Sequence, residues 1–243
     1  MWYAETKIAG ESMKQTFGLS GAALKYIAMC SMLVDHVYKA VVLMRVPAGA
    51  SQMVLLLCDM MAIFGRFAFP IFSFLLVEGF YHTRNKAKYL RNLLMFAILS
   101  EIPFNLMLAA DWRLPAAQNV YFTWAIALGV IWLVDTIRQK TKYWVIAMLP
   151  VAAAGCALAM GLSVDYHMYG VMVPLVLYLL RDRPILASLA GYAVQYRSVW
   201  MLPSFLLTNL YNGQRGRQIK WLGYWFYPVH LLVLGVIRLV TGL

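Results

Sequence analysis

Apolar blocks of about 17–25 residues recur along the whole of this chain, separated by short basic loops, and blocks of that length cross a bilayer. That recurrence decides the fold class. A chain in lipid must satisfy its backbone hydrogen bonds within each span, so repeated long apolar runs mean helices packed in a membrane. Composition agrees: only 13% of the 243 residues are charged, against about 25% in a soluble domain. The expectation is an all-α, polytopic integral membrane protein of about nine transmembrane helices, within a range of eight to ten. It forms one domain over 1–243, with 1–20 as a polar cytoplasmic segment that lacks the apolar core of a cleaved signal.

The periodic segments fall at roughly 22–45, 53–64 leading into 67–82, 89–109, 119–136, 143–162, 169–181, 185–197, 200–211 and 221–241. Gly65 and Arg66 interrupt the second, which reads as a broken helix or an interfacial stretch followed by a span. The segments at 185–197 and 200–211 are short, and read as two tilted spans or one re-entrant hairpin. Nine crossings from a cytoplasmic N-terminus place fifteen Lys and Arg residues on the cytoplasmic side. Only Arg45, Arg113, Arg197 and Arg238 fall outside, and Lys39 and Arg66 lie at membrane depth. Such a split is the positive-inside pattern. It also accounts for the net charge of +11 without nucleic acid, since no helix carries a basic stripe with interleaved aromatics. Cys30, Cys58 and Cys156 lie in apolar segments without metal-ligand spacing, so neither a disulfide framework nor a metal site is expected.

Ionisable residues at membrane depth cost several kcal/mol and mark working sites. The first span carries Asp35 and His36, and the second carries Arg66 and Glu78. Glu101 and Asn105, four apart, share a face of the third. Asp165 and His167 fall in an outer loop, and His230 lies near the middle of the last span. Each has a structural reading beside a chemical one. Asp35 and Lys39 form an i,i+4 pair, as do Glu78 and His82; Arg66 has Glu101 as a natural partner; His230 suits a helix-packing hydrogen bond. As chemistry, a histidine takes a proton from an amine or hydroxyl. An arginine or amide steadies an oxyanion, and a carboxylate fixes a histidine tautomer. No GxSxG, SxxK, HExxH or P-loop occurs, so hydrolase, zincin and NTPase chemistry lack support.

Read together, LKYIAMCSMLVDHVYK, GRFAFPIFSFLLVEGFYHTRN with KYLRNLLMFAILSEIPFNL, NVYFT, and YNGQRGRQIKWLGYWFYPVHLLVLG resemble the TraX family of membrane proteins, in order and over nearly the whole chain. DH, GRxAFPxF and FYPxHLxxLG are the more specific elements. The resemblance implies an acyltransferase of the bacterial cytoplasmic membrane that moves an acetyl group from cytosolic acetyl-CoA to an extracytoplasmic peptide, glycan or lipid. The best-known member is linked to N-terminal acetylation of a conjugative pilin. SEIPFNL and VEGFYHTRN look more like the versions in members outside conjugation systems, so pilin is not carried over as the acceptor. By motif, His36, Asp35, Arg66 and Glu101 take catalytic roles, with His36 as the base. Asn105, Glu78, Asp165, Tyr227 and His230 fall to substrate binding. Arg84, Lys86, Lys88 and Arg91 fall to the acyl-CoA phosphates. Two other classes compete: a proton-coupled transporter of a small solute or lipid using the same buried charges, and a noncatalytic assembly factor for a surface polymer.

Overall fold

A computed structural model describes residues 18–113, 117–196 and 198–242, with the side chain of Lys220 left aside. Most of the 1–20 segment, and Arg197, therefore lie outside the described residues. Ten helices follow one another: α1 (Gly21–Val37, carried on by a π-helical turn at Tyr38–Val42 to Arg45), α2 (Gln52–Gly65), α3 (Ala68–His82), α4 (Lys86–Ala109), α5 (Val120–Lys140), α6 (Trp144–Gly161), α7 (Tyr169–Leu179), α8 (Pro184–Val194), α9 (Leu202–Leu207) and α10 (Lys220–Thr241). Only isolated bridges, and no strand, occur among the described residues. Six stretches are long and apolar enough to cross a membrane: Gly21–Arg45, Gln52–His82, Lys86–Ala109, Val120–Lys140, Trp144–Gly161 and Trp221–Thr241.

The remaining apolar helices are shorter. Helices α7 and α8 have 11 residues each, about 17 Å of helix against the roughly 30 Å of a hydrocarbon core. Helices α8 and α9 form a hairpin, with Ser188 Oγ donating to the Phe205 carbonyl at 2.9 Å. The chain then returns to the start of α1. Gly21 N donates to the Gln214 carbonyl and Ala22 N to the Arg215 carbonyl, at 2.8 and 2.9 Å. Those bonds occupy donors that the first turn of a helix leaves free, and they hold Arg215 beside α1. Gathered here are Lys25 of α1, His82 of α3, Lys86 of α4 and Arg215 of the loop before α10; this is the basic end of the bundle.

Burial is arranged as lipid requires. Large apolar side chains such as Met53, Ile98, Ile146 and Val240 are exposed on the outer faces of α2, α4, α6 and α10, while small residues mediate contact between helices. A Cβ at Gly155 of α6 would stand 2.4 Å from Val130 of α5, and one at Gly235 of α10 would stand 2.7 Å from Leu106 of α4. Arg238 of α10 is buried and donates to the carbonyls of Met107 and Leu108, the free acceptors at the end of α4.

The expected break at Gly65–Arg66 is a tight turn joining α2 to α3, and Ser31 of α1 explains how it is tolerated. Its buried hydroxyl lies 2.7 Å from the Phe64 carbonyl and 3.2 Å from that of Gly65, so it serves acceptors the turn exposes. Gly65 lies against α1 so closely that a Cβ would meet Asp35 Cβ at 2.6 Å and its Cα at 2.9 Å. Backbone cannot swing aside as a flexible side chain does. Gly65→Ala is therefore expected to cost about 1–3 kcal/mol, read as a lower melting temperature in detergent; an unchanged melting temperature would show that the two helices separate freely.

Candidate functional site

His36 and His230, 194 residues apart in sequence, meet where α1 passes α10. His36 Nδ1 and His230 Nε2 lie 2.7 Å apart, and the rings stack with centroids 5.0 Å apart at an interplanar angle of 11°. On its other side, His230 Nδ1 lies 2.5 Å from the Phe226 carbonyl oxygen. A carbonyl only accepts, so His230 Nδ1 carries the proton and its Nε2 is a lone pair. His36 Nδ1 must then donate, which leaves His36 Nε2 as the basic nitrogen, free of any hydrogen bond among the described residues. The result is a relay of carbonyl, imidazole and imidazole that fixes both tautomers. Tyr227 packs edge-on against both rings, with centroids at 6.1 and 5.8 Å.

The local chain explains the placement. Pro228 has no N–H to give the Tyr224 carbonyl, loosening α10 one turn before His230. The π-helical turn begins two residues after His36, and such turns mark functional sites often. His36 lines a cavity of about 130 Å³, together with Asp35, Lys39, Tyr227, Asp165 and Tyr166. The loop that delivers the last two is conformationally strained. Ser163, Tyr166 and His167 have φ of 51°, 64° and 46°, a left-handed region that costs non-glycine residues free energy and clusters at sites. Thr123 Oγ1 donates to the Asp165 carbonyl at 2.5 Å and Gln118 accepts from its N–H at 2.8 Å, pinning the loop to the start of α5.

Burial pushes the Asp165 carboxyl above its ordinary 3.8; nearby Lys39, the Tyr166 N–H and His167 work against the shift, and Asp35 adds to it. The folded protein thus holds a proton that the unfolded chain releases once the pH passes 3.8. Stability at this residue is fullest below that pH and declines as the pH rises through the window up to the raised value. Asp165→Asn keeps the oxygen that accepts from Tyr166 N and abolishes the decline. It is expected to raise the melting temperature at pH 7 by about 2–4 °C, with the gain shrinking toward pH 4. A gain independent of pH would refute the assignment.

The other sequence-derived residues divide. Asp35 accepts from Lys39 Nζ at 2.6 Å, the i,i+4 pair expected, and both face the cavity; fixing the histidine tautomer falls to His230 instead. Glu101 does not pair with Arg66. Its Oε2 accepts from Asn119 Nδ2 at 2.6 Å, so it braces the start of α5, while Arg66 is exposed at the α2–α3 turn, where its backbone N–H donates to the Ile63 carbonyl at 3.2 Å and its guanidinium makes no ion pair among the described residues. Asn105 is buried on α4 and its Oδ1 has no partner among the described residues; neither it, Glu101 nor Arg66 lines the His36 cavity. Glu78 stands at the basic end, where Arg181 grips both carboxylate oxygens at 2.7 and 3.1 Å and His82 lies 3.4 Å away.

At that end a larger cavity of about 520 Å³ opens, lined by Lys25, Glu78, His82, Tyr89, Tyr211 and Arg215 among others. Its size is in the range of small-molecule sites. Arg84, Lys86, Lys88 and Arg91 do not line it; Lys86 is bound to Asp135 at 3.1 Å. The cations that line it are Lys25 of α1 and Arg215 of the glycine-rich YNGQRGR stretch, which lies against the start of α1.

Against known proteins, the family described as TraX protein matches residues 20–238. The chain is 28% identical to the probable fimbrial assembly protein FimC, serogroup H1, of Dichelobacter nodosus, over 91% of this chain and 97% of that protein. No solved structure matches it. The chain belongs to the TraX family.

Proposed function

We propose that this TraX family member is an integral membrane acyltransferase of the bacterial cytoplasmic membrane, moving an acetyl group from acetyl-CoA to an amine or hydroxyl presented on the opposite face. The observation that carries the reading is the His36–His230–Phe226 relay, which leaves one imidazole nitrogen basic on a cavity wall. A base so placed takes the proton from the attacking group as the carbonyl carbon is engaged, a contribution of about 10²–10⁴ in rate.

The rest of the molecule supplies the two approaches that such a transfer needs. The expected positive-inside orientation would turn the basic end to the cytoplasm; in this reading the larger cavity receives the donor, with Lys25 and Arg215 as cations for its phosphates. Arg84, Lys88 and Arg91, at the start of α4, remain available to draw in the anionic donor from solution. On the other side, Asp35, Lys39 and Asp165 give the His36 cavity the polarity to hold an acceptor. The relative's name makes subunits of a surface fibre the first acceptors to assay.

The test is purified protein in nanodiscs with acetyl-labelled acetyl-CoA. Release of CoA together with label on an acceptor amine or hydroxyl is the expected result. Proton-gradient-driven solute uptake in vesicles without acyl-CoA, and no label transfer, would replace the reading with transport.

A further inference from the structure

The cavity at the basic end and the cavity around His36 share two wall residues, Phe72 of α3 and Trp124 of α5. Their rings lie 5.3 Å apart, tilted by 49°, and Tyr121 packs edge-on against Trp124 at 5.5 Å. The indole is therefore held between neighbours. Trp124 is 7% exposed, and its Nε1 is buried without a hydrogen-bond partner among the described residues. An indole N–H donates and cannot accept, and a buried donor left unused is disfavoured unless a ligand completes it. Other buried side-chain atoms lack partners too, in Ser73, Ser100, Glu101, Asn105 and Gln195, but none of those residues lines either of the two cavities.

We propose that Trp124 is a catalytic residue whose indole N–H receives the thioester carbonyl oxygen at the point where the two cavities meet. The assignment rests on the acyl-transfer reading and gives it the oxyanion donor that exposed Arg66 does not supply. The acceptor's nitrogen or oxygen attacks the carbonyl carbon, and the carbonyl π pair moves onto oxygen, where the Trp124 N–H stabilises it. His36 Nε2 takes the acceptor's proton. The oxyanion then re-forms the carbonyl, the carbon–sulfur bond breaks, and the departing thiolate collects the proton from His36, so that acetylated acceptor and free CoA thiol result.

Trp124→Phe keeps an aromatic ring in the wall while deleting the N–H donor along with part of the indole's volume. It is expected to lower kcat by about 10²-fold and to leave the KM for acetyl-CoA within about twofold of wild type. A second measurement needs no turnover and no variant enzyme. The indole N–H resonances of the ¹⁵N-tryptophan-labelled wild-type protein are followed with a ketone analogue of acetyl-CoA, which cannot transfer, and with propyl-CoA, which lacks the carbonyl. One indole resonance moving downfield with the ketone alone is the expected result. Wild-type kcat in Trp124→Phe, or equal responses to the two analogues, overturns the role of Trp124 and leaves acyl transfer standing. Failure of wild-type protein to bind either analogue or to turn over acetyl-CoA overturns the acyl-transfer reading and this role with it.

Discussion

On the proposed acyl-transfer reading, His36→Ala is expected to reduce acetyl transfer by about 10³-fold while acetyl-CoA still binds, because the residue lines the smaller cavity and not the one at the basic end. Retained monodispersity and donor affinity, measured on the same sample, exclude a fold defect as the cause of this loss. His230→Gln separates base from relay. Glutamine keeps a polar group near His36 Nδ1 but cannot copy the bond from imidazole to the Phe226 carbonyl. The expected loss is smaller, about 10–10²-fold, with a changed pH dependence of kcat as the readout that packing alone would not move. Full activity in His36→Ala would remove the base from the proposed chemistry, and full activity in His230→Gln would remove the relay.

Much of the helical layout was legible because lipid imposes simple patterning. The expected spans at 22–45, 89–109, 143–162 and 221–241 coincide with helices to within a few residues, since each is bounded by polar or glycine-rich turns. The break at Gly65–Arg66 was legible too. Shorter segments were overextended: 169–181 ends at Leu179 and 185–197 at Val194, where the backbone leaves the helix at Leu180 and Gln195 while the apolar pattern still runs on.

The site was legible as a list of residues and not as a set of pairs. Sequence spacing reveals partners one helical turn apart, and so Asp35–Lys39 and Glu78–His82 were found. It is silent on partners brought together by helix packing. His230 therefore read as a helix-packing or substrate-binding residue with no tie to His36, Arg181 as one basic loop residue among many, and Arg66 as a partner for Glu101. Trp124 gave no signal at all, because a tryptophan in an apolar helix reads as packing until the cavity on each side of it is known.

The second large effect concerns Glu78. Its side chain is 8% exposed and is gripped by both Arg181 nitrogens, and this pairing holds the Arg181 guanidinium even more firmly protonated than usual. Removing one partner of such a pair strands the other charge. For a fully buried pair the cost is about 3–5 kcal/mol; Arg181 is 34% exposed, so water recovers part of it and about 2–3 kcal/mol is expected for Glu78→Ala. Glu78→Gln retains one acceptor and is expected to lose about half as much. Thermal unfolding in detergent checks both, and the double variant Glu78→Ala/Arg181→Met decides what the loss means. If the pair acts as a brace between α3 and the loop after α7, removing both charges restores most of the stability and acetyl-CoA still binds. If instead Glu78 acts on the substrate, the double variant recovers stability and remains unable to bind the donor, since Glu78 lines the cavity at the basic end.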